Sequence, residues 1–130
     1  VDVGLRVFMT RWRTTFVRRA CIADAALIEA ILRAERGLID ADLGGGVIKQ
    51  RVGRPGQGRS GGYRTLIAIR RGDQAVFVYG FEKSDRANIE PDELADLKRL
   101  AAHWLGADAK YLEMQLELGE IEEIRYGDKR

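Results

Sequence analysis

Cysteine is almost missing from this chain: Cys21 stands alone among 130 residues. One thiol makes no internal disulfide, and with a single histidine, His103, no zinc cluster of the Cys/His type can form. Long apolar runs are missing as well. No stretch approaches the ~20 apolar residues of a membrane span. The opening VDVGLRVFMT runs at once into RWR, without the apolar core of a secretory leader. The expectation is a cytoplasmic protein with no membrane contact and no metal or other cofactor.

A third absence is local. Between Leu43 and Gly72 there is no Asp or Glu, yet these thirty residues carry seven cations: Lys49, Arg51, Arg54, Arg59, Arg64, Arg70 and Arg71. Eight glycines fall between Gly44 and Gly62. The formal net charge of +2 hides this asymmetry. Residues 1–83 hold 15 Lys and Arg against 8 Asp and Glu, whereas residues 84–130 hold 7 against 12. A basic body suggests a polyanionic partner. The alternative is an acidic C-terminal third folded back to neutralise the basic patch.

What is present supports one globular domain over 1–130, with 1–4 and 120–130 as candidate flexible tails. A composition 45% apolar and 32% charged belongs to a chain able to build its own core. Leu5–Met9 reads as a short strand. Thr10 caps a short helix whose face carries Trp12, Phe16 and Ala20, and Asp24 caps a second with Leu27, Ile28, Ile31 and Ala34, stopped by Gly37. Val47–Val52 alternates as a strand, with Lys49 and Arg51 on one face and Ile48, Gln50 and Val52 on the other. Gly53–Gly61 reads as a loop, Gly62–Arg71 as a second strand and Ala75–Phe81 as a third, apolar enough to be central. Pro91 opens a helix with a Leu94, Leu97, Ala101, Trp104, Leu105 stripe. Asp108 starts another, closed by Gly119 before an edge strand or tail at Ile121–Tyr126. Helices before and after a meander sheet make the class α+β.

Gly56-Gln57-Gly58-Arg59-Ser60-Gly61 fits the dinucleotide-binding G-x-G-x-x-G pattern only by spelling. That fingerprint needs a helix to follow, and here a strand follows. A phosphate cradle suits the stretch better. Glycines let the main chain approach a ligand, and Arg54, Arg59 and Arg64 offer forked donors for phosphate oxygens. Tyr63 and Tyr79 are candidate stacking planes for single-stranded RNA.

DLGGGVIKQRV (42–52), RPGQGRSGGYR (54–64) and AVFVYGFEKSDRANI (75–89), with the helix from Pro91, together resemble the RelE/HigB superfamily of type II toxins. The resemblance implies two N-terminal helices packed on a small, mostly antiparallel sheet, with C-terminal helices. It implies a toxin that enters the ribosome and cuts mRNA, an antitoxin that silences it, and a complex of the two that binds operator DNA through the antitoxin. Some relatives carry a catalytic Tyr or Arg near the C-terminus. Here the tail LELGEIEEIRYGDKR is acid-rich; Arg125 and Tyr126 lie in it, at a spacing that assigns them no role.

Metal-free RNA cleavage requires proton transfer and stabilisation of a developing phosphorane charge. His103 lies on a late helix and is set aside as the base. Lys49, Arg51 and Arg64 are the candidate charge stabilisers, and Lys83 the candidate for proton transfer. Whether Arg64 joins the other two depends on strand register, which sequence leaves open. The competing readings are a non-catalytic toxin on the same scaffold, like the gyrase inhibitors, and a basic RNA-binding module.

Overall fold

In the computed structural model, the residues described are 5–11, 22–54, 58–70, 72–82 and 90–125; the side chains of residues 54 and 58–61 lie outside this description. The elements run β1 (Arg6–Thr10), α1 (Asp24–Glu35), β2 (Ala41–Gly44), β3 (Val47–Arg54), β4 (Gly58–Arg70), β5 (Gln74–Glu82), α2 (Pro91–Leu105), α3 (Ala109–Leu118) and β6 (Ile121–Ile124). The class is α+β. The six strands form one mixed sheet in the order β2-β3-β4-β5-β1-β6, in which only β1 and β5 run parallel.

The expected meander β3-β4-β5 lies within this larger sheet. Three further strands flank it. Ile121–Ile124 is an edge strand rather than a tail, because Ile121 and Ile124 bury against β1. The expected loop at Gly53–Gly61 is shorter than the glycine content suggests. Strand β3 runs to Arg54 and β4 begins at Gly58, with Arg54 paired to Gly58. Ladder hydrogen bonds come from the backbone, so a glycine-rich segment can still pair. The expected helix near residues 10–20 lies outside the described residues. Asp24 is the first helical residue and Ala23 the cap, one position earlier than the sequence suggests.

Helices cover both faces. On the first, Leu27, Ile28, Ile31 and Ala34 of α1 pack with Val7, Met9, Ile48, Val52, Tyr63, Ile67 and Phe77 of the sheet. On the second, Ala101 and Trp104 of α2 and Leu112 of α3 pack with Phe8, Val47, Leu66, Ala68, Val76 and Val78. Each fully buried Leu or Phe contributes about 1.5–3 kcal/mol, which makes β5, buried on both sides, the spine of the molecule.

Local sequence features mark the termini of α2 and α3. Pro91 sits at the start of α2 with Asp92 and Glu93 in the first turn, where the helix dipole favours negative charge. Asp108 accepts the Tyr111 N–H at 2.9 Å to cap α3, and Gly119 ends it in the left-handed conformation, φ 76°. The last carbonyls of α2 are met by the sheet: the Arg70 guanidinium donates to Leu105 O, and Gln74 Nε2 donates to Trp104 O at 2.9 Å.

Candidate functional site

Along the second face, β3 and β4 change character. Near the turn that joins β2 to β3, Val47 and Ala68 face each other under α2. Two residues on, Lys49 faces Leu66, and two further on Arg51 faces Arg64. The side-chain period of two puts Lys49, Arg51 and Arg64 on one face. Lys49 and Arg64 are half-buried and Arg51 is exposed.

The Arg51–Arg64 juxtaposition is a close one. The Arg51 N–H donates to Asp40 Oδ2 at 2.5 Å, and the Arg51 carbonyl accepts from Arg33 Nη2. Both backbone groups therefore point away from β4. That makes Arg51 and Arg64 a non-hydrogen-bonded pair, the kind with Cα atoms only about 4.5 Å apart. Like charges at such a position destabilise a sheet by up to ~1 kcal/mol. No relief comes from acids: Lys49, Arg51 and Arg64 take part in no ion pair among the described residues. Arg64 Nη1 is buried without a hydrogen-bond partner. A buried guanidinium nitrogen left unsatisfied, on a residue facing a second arginine, has the chemistry to take an anion's oxygen as its partner.

Two irregularities shape the surroundings. In β5 the register shifts between Leu66 and Ile67, whose partners are Tyr79 and Phe77, so Val78 is the extra residue of a bulge. Without the bulge, Tyr79 and Phe81 would share the face of Phe77. With it, Tyr79 faces Leu66 and Phe81 faces Arg64, on the cationic side. The two rings lie 6.0 Å apart, tilted by 44°. Phe81 is buried and Tyr79 half-buried. In β3 the register shifts between Val52 and Arg54, opposite Gly62. A Cβ at Gly62 would lie 2.0 Å from Val52 O and 3.1 Å from Gly53 Cα. Only glycine permits that backbone approach.

Several expected site residues are placed elsewhere. Tyr63 is 1% exposed in the core on the α1 side, opposite Val52 and on the other face from Arg64. Its ring is not available for stacking on a base; the same alternation that gathers the cations turns it inward. Arg70, counted with the unpaired cations, is engaged by Asp73 (2.6 Å), Gln74 (3.1 Å) and Leu105 O. Arg54 and Arg59 belong to the backbones of β3 and β4, and their side chains lie outside the described ones; Lys83 and Arg71 lie outside the described residues altogether. His103 is exposed, with Nε2 2.9 Å from the Tyr111 hydroxyl.

Among the described residues, no acid of the C-terminal third forms an ion pair with Lys49, Arg51 or Arg64. Glu113 and Glu123 pair with Arg6 at 3.0 and 2.9 Å, and Glu120 pairs with Arg11 at 3.5 Å. These contacts tie β1, α3 and β6 together, on the far side of the sheet from β3. The hydrogen bond from Arg6 holds the Glu123 carboxyl below its ordinary value, and burial opposes it in part. Three residues near the site escaped the sequence reading: Phe81, Arg33 and Asp40. Phe81 was hidden by the bulge, and the other two act from the opposite side of β3. Among the described residues no group of His, Cys, Asp and Glu is arranged to hold a metal ion, and no helix is long and apolar enough to cross a membrane.

The fold is that of a small α+β protein whose mixed sheet carries Lys49, Arg51 and Arg64 on one face. Residues 5–124 match the family model described as the RelE toxin of the RelE/RelB toxin-antitoxin system. The chain belongs to that family: it is a toxin of a toxin-antitoxin pair, whose natural partner is an antitoxin. No curated protein matches the chain.

Proposed function

We propose that this toxin is an mRNA endonuclease that acts in the ribosome, cutting translated messages and arresting growth. The observation that carries the proposal is the close Arg51–Arg64 pair, whose guanidinium groups join no ion pair among the described residues and whose Arg64 Nη1 is buried and unpartnered. A scissile phosphate between these two side chains and Lys49 would satisfy all three.

In the proposed reaction the ribose 2′-oxygen attacks the adjacent phosphorus and loses its proton. The bond from phosphorus to the 5′-oxygen breaks, and that oxygen takes up a proton. The products are a 2′,3′-cyclic phosphate and a 5′-hydroxyl, so no water is consumed. Charge on the non-bridging oxygens grows in the transition state. Preorganised donors aimed at such oxygens are commonly worth 10²–10³ in rate each, to order of magnitude. Lys49, Arg51 and Arg64 have that role, and Lys83 is the candidate for proton transfer. Tyr79, at the rim of the same face, is the candidate stacking plane for a base next to the cut. Arg54 and Arg59 are candidates for gripping the flanking RNA backbone. Operator DNA is contacted through the antitoxin, not through this chain.

The test is to map mRNA 5′ ends in a growing bacterium after induction of the parent, Lys49→Ala and Arg51→Ala. New 5′ ends inside reading frames are expected with the parent alone. Growth arrest by the parent with no new ends would support instead a toxin on this scaffold that acts by binding a protein.

A further inference from the structure

Strand β3 shows two sides of one design. Its cations face the candidate phosphate, and its backbone at Arg51 is held from the strand's open edge. Arg33 of α1 is 4% exposed, an unusual position for an arginine. Its Nε donates to Glu29 Oε2 at 2.8 Å and its Nη2 donates to the Arg51 carbonyl at 2.5 Å. Asp40, in the segment joining α1 to β2, accepts the Arg51 N–H through Oδ2. Gln50, fully buried one residue earlier, donates through Nε2 to Ala30 O (2.9 Å) and Leu38 O (3.1 Å), and its Oε1 accepts the Asp40 N–H at 2.9 Å.

Strand β2 pairs with β3 only as far as Lys49. Arg51 therefore lies past the end of that ladder, on what would be an open edge. A strand residue there is free to twist or bulge, which would re-aim its side chain. The Arg33 guanidinium and the Asp40 carboxylate replace the missing strand by taking the two backbone groups that a neighbour would have taken. Asp40 is exposed, so its side chain is not part of the apolar core.

We infer that Asp40 and Arg33 are positioning residues for RNA cleavage, holding the Arg51 backbone so that its guanidinium stands beside Arg64 at the reacting phosphate. The inference rests on the proposed role of Arg51. It goes further by naming groups at the edge of β3 that act through that residue. Asp40 acts on orientation and not on affinity, because it does not touch the RNA. Its loss should appear in the rate constant at saturation rather than in half-saturation.

The experiment measures cleavage of a defined mRNA on programmed ribosomes by the full chain, comparing the parent with Asp40→Ala, Asp40→Asn, Arg51→Ala and the double variant Asp40→Ala/Arg51→Ala. Asp40→Ala is expected to lower the saturated rate about tenfold, equivalent to about 1.4 kcal/mol of barrier, with half-saturation within twofold. Asp40→Asn keeps an acceptor oxygen and should recover most of the loss. In the double variant Asp40→Ala should cost nothing beyond Arg51→Ala, since it acts only through that side chain. Arg33→Lys, which keeps the charge but not the fork, should resemble Asp40→Ala in its rate and saturation split. Full activity in Asp40→Ala alongside loss in Arg51→Ala overturns the positioning role and leaves the proposed function standing. Multiplicative losses in the double variant overturn it too, for they mark general destabilisation. Full activity in Arg51→Ala sinks both.

Discussion

Arg64→Met gives effects of opposite sign on stability and on activity. Methionine keeps an apolar stem of similar reach over Leu66 and Phe81 but carries no charge and no donors. Removing the guanidinium ends the like-charge opposition with Arg51, which costs roughly 0.2–1 kcal/mol at a directly facing pair. It also removes the buried, unpartnered Nη1, for which a penalty of about 1–3 kcal/mol is usual. Arg64 is only half-buried, so both penalties are reduced by solvent, and a net gain near the low end, about 1 kcal/mol, is the expectation. With an unfolding entropy of about 2.1 cal/mol/K per residue, that gain raises Tm by roughly 4 °C. Cleavage on programmed ribosomes should meanwhile fall by about 10²–10³, the loss typical of one transition-state donor. Differential scanning fluorimetry and the cleavage assay on the same preparation measure both. A variant that melts several degrees lower would refute the reasoning, for it would show that Arg64 holds the fold together and is not kept unsatisfied for a ligand.

Three other outcomes follow from the same geometry. Gly62→Ala drives a methyl into the Val52 carbonyl, where backbone must move; a loss of about 3 kcal/mol and a Tm drop of roughly 11 °C are expected by thermal melting. Single-stranded RNA binding should weaken with salt, and Arg64→Met should flatten the slope of log K against log salt by about 0.7, one phosphate's share, in a fluorescence titration. The Glu123 carboxyl is held low by Arg6, so its contribution to stability is present above the ordinary value of 4.5 and is lost as pH falls below it. Glu123→Gln should therefore melt below the parent at pH 6, and the difference should shrink as pH falls below 4.5.

How much of this was legible in the sequence varies residue by residue. Lys49 and Arg51 were placed on one face by alternation alone, because a strand's period of two needs no tertiary information. Arg64 joined them only through the pairing of β3 with β4, and register is a property of two strands. Tyr63 shows the rule working against an expectation: an odd-numbered neighbour of Arg64 must face away from it. Tyr79 and Phe81 show the rule failing, since one extra residue at Val78 reverses every side chain after it, and nothing in VFVYGF marks which residue is extra. Gln50 carried an unused hint. A polar side chain between Ile48 and Val52 on the core face needs buried partners, and Ala30, Leu38 and Asp40 supply them.

The division of charge across the sheet follows from strand order. From β3 to β6 there are four inter-strand steps, about 19 Å at the usual spacing. The Debye length at physiological ionic strength is about 8 Å, so the carboxylates at β6 exert little field on Arg51 of β3 and a weakened one on Arg64 of β4, three steps or about 14 Å away. Arg6 draws Glu113 and Glu123 to the β1–β6 edge, and Arg11 draws Glu120 there. The near-neutral total charge is thus a poor guide to what the molecule attracts. A polyanion approaching β3 and β4 meets Lys49, Arg51 and Arg64, none in an ion pair among the described residues, while Glu113, Glu120 and Glu123 are occupied by Arg6 and Arg11. For that reason the two bulges and the Asp40 and Arg33 anchors, which decide where those few cations point, matter more for the proposed chemistry than the number of cations in the sequence.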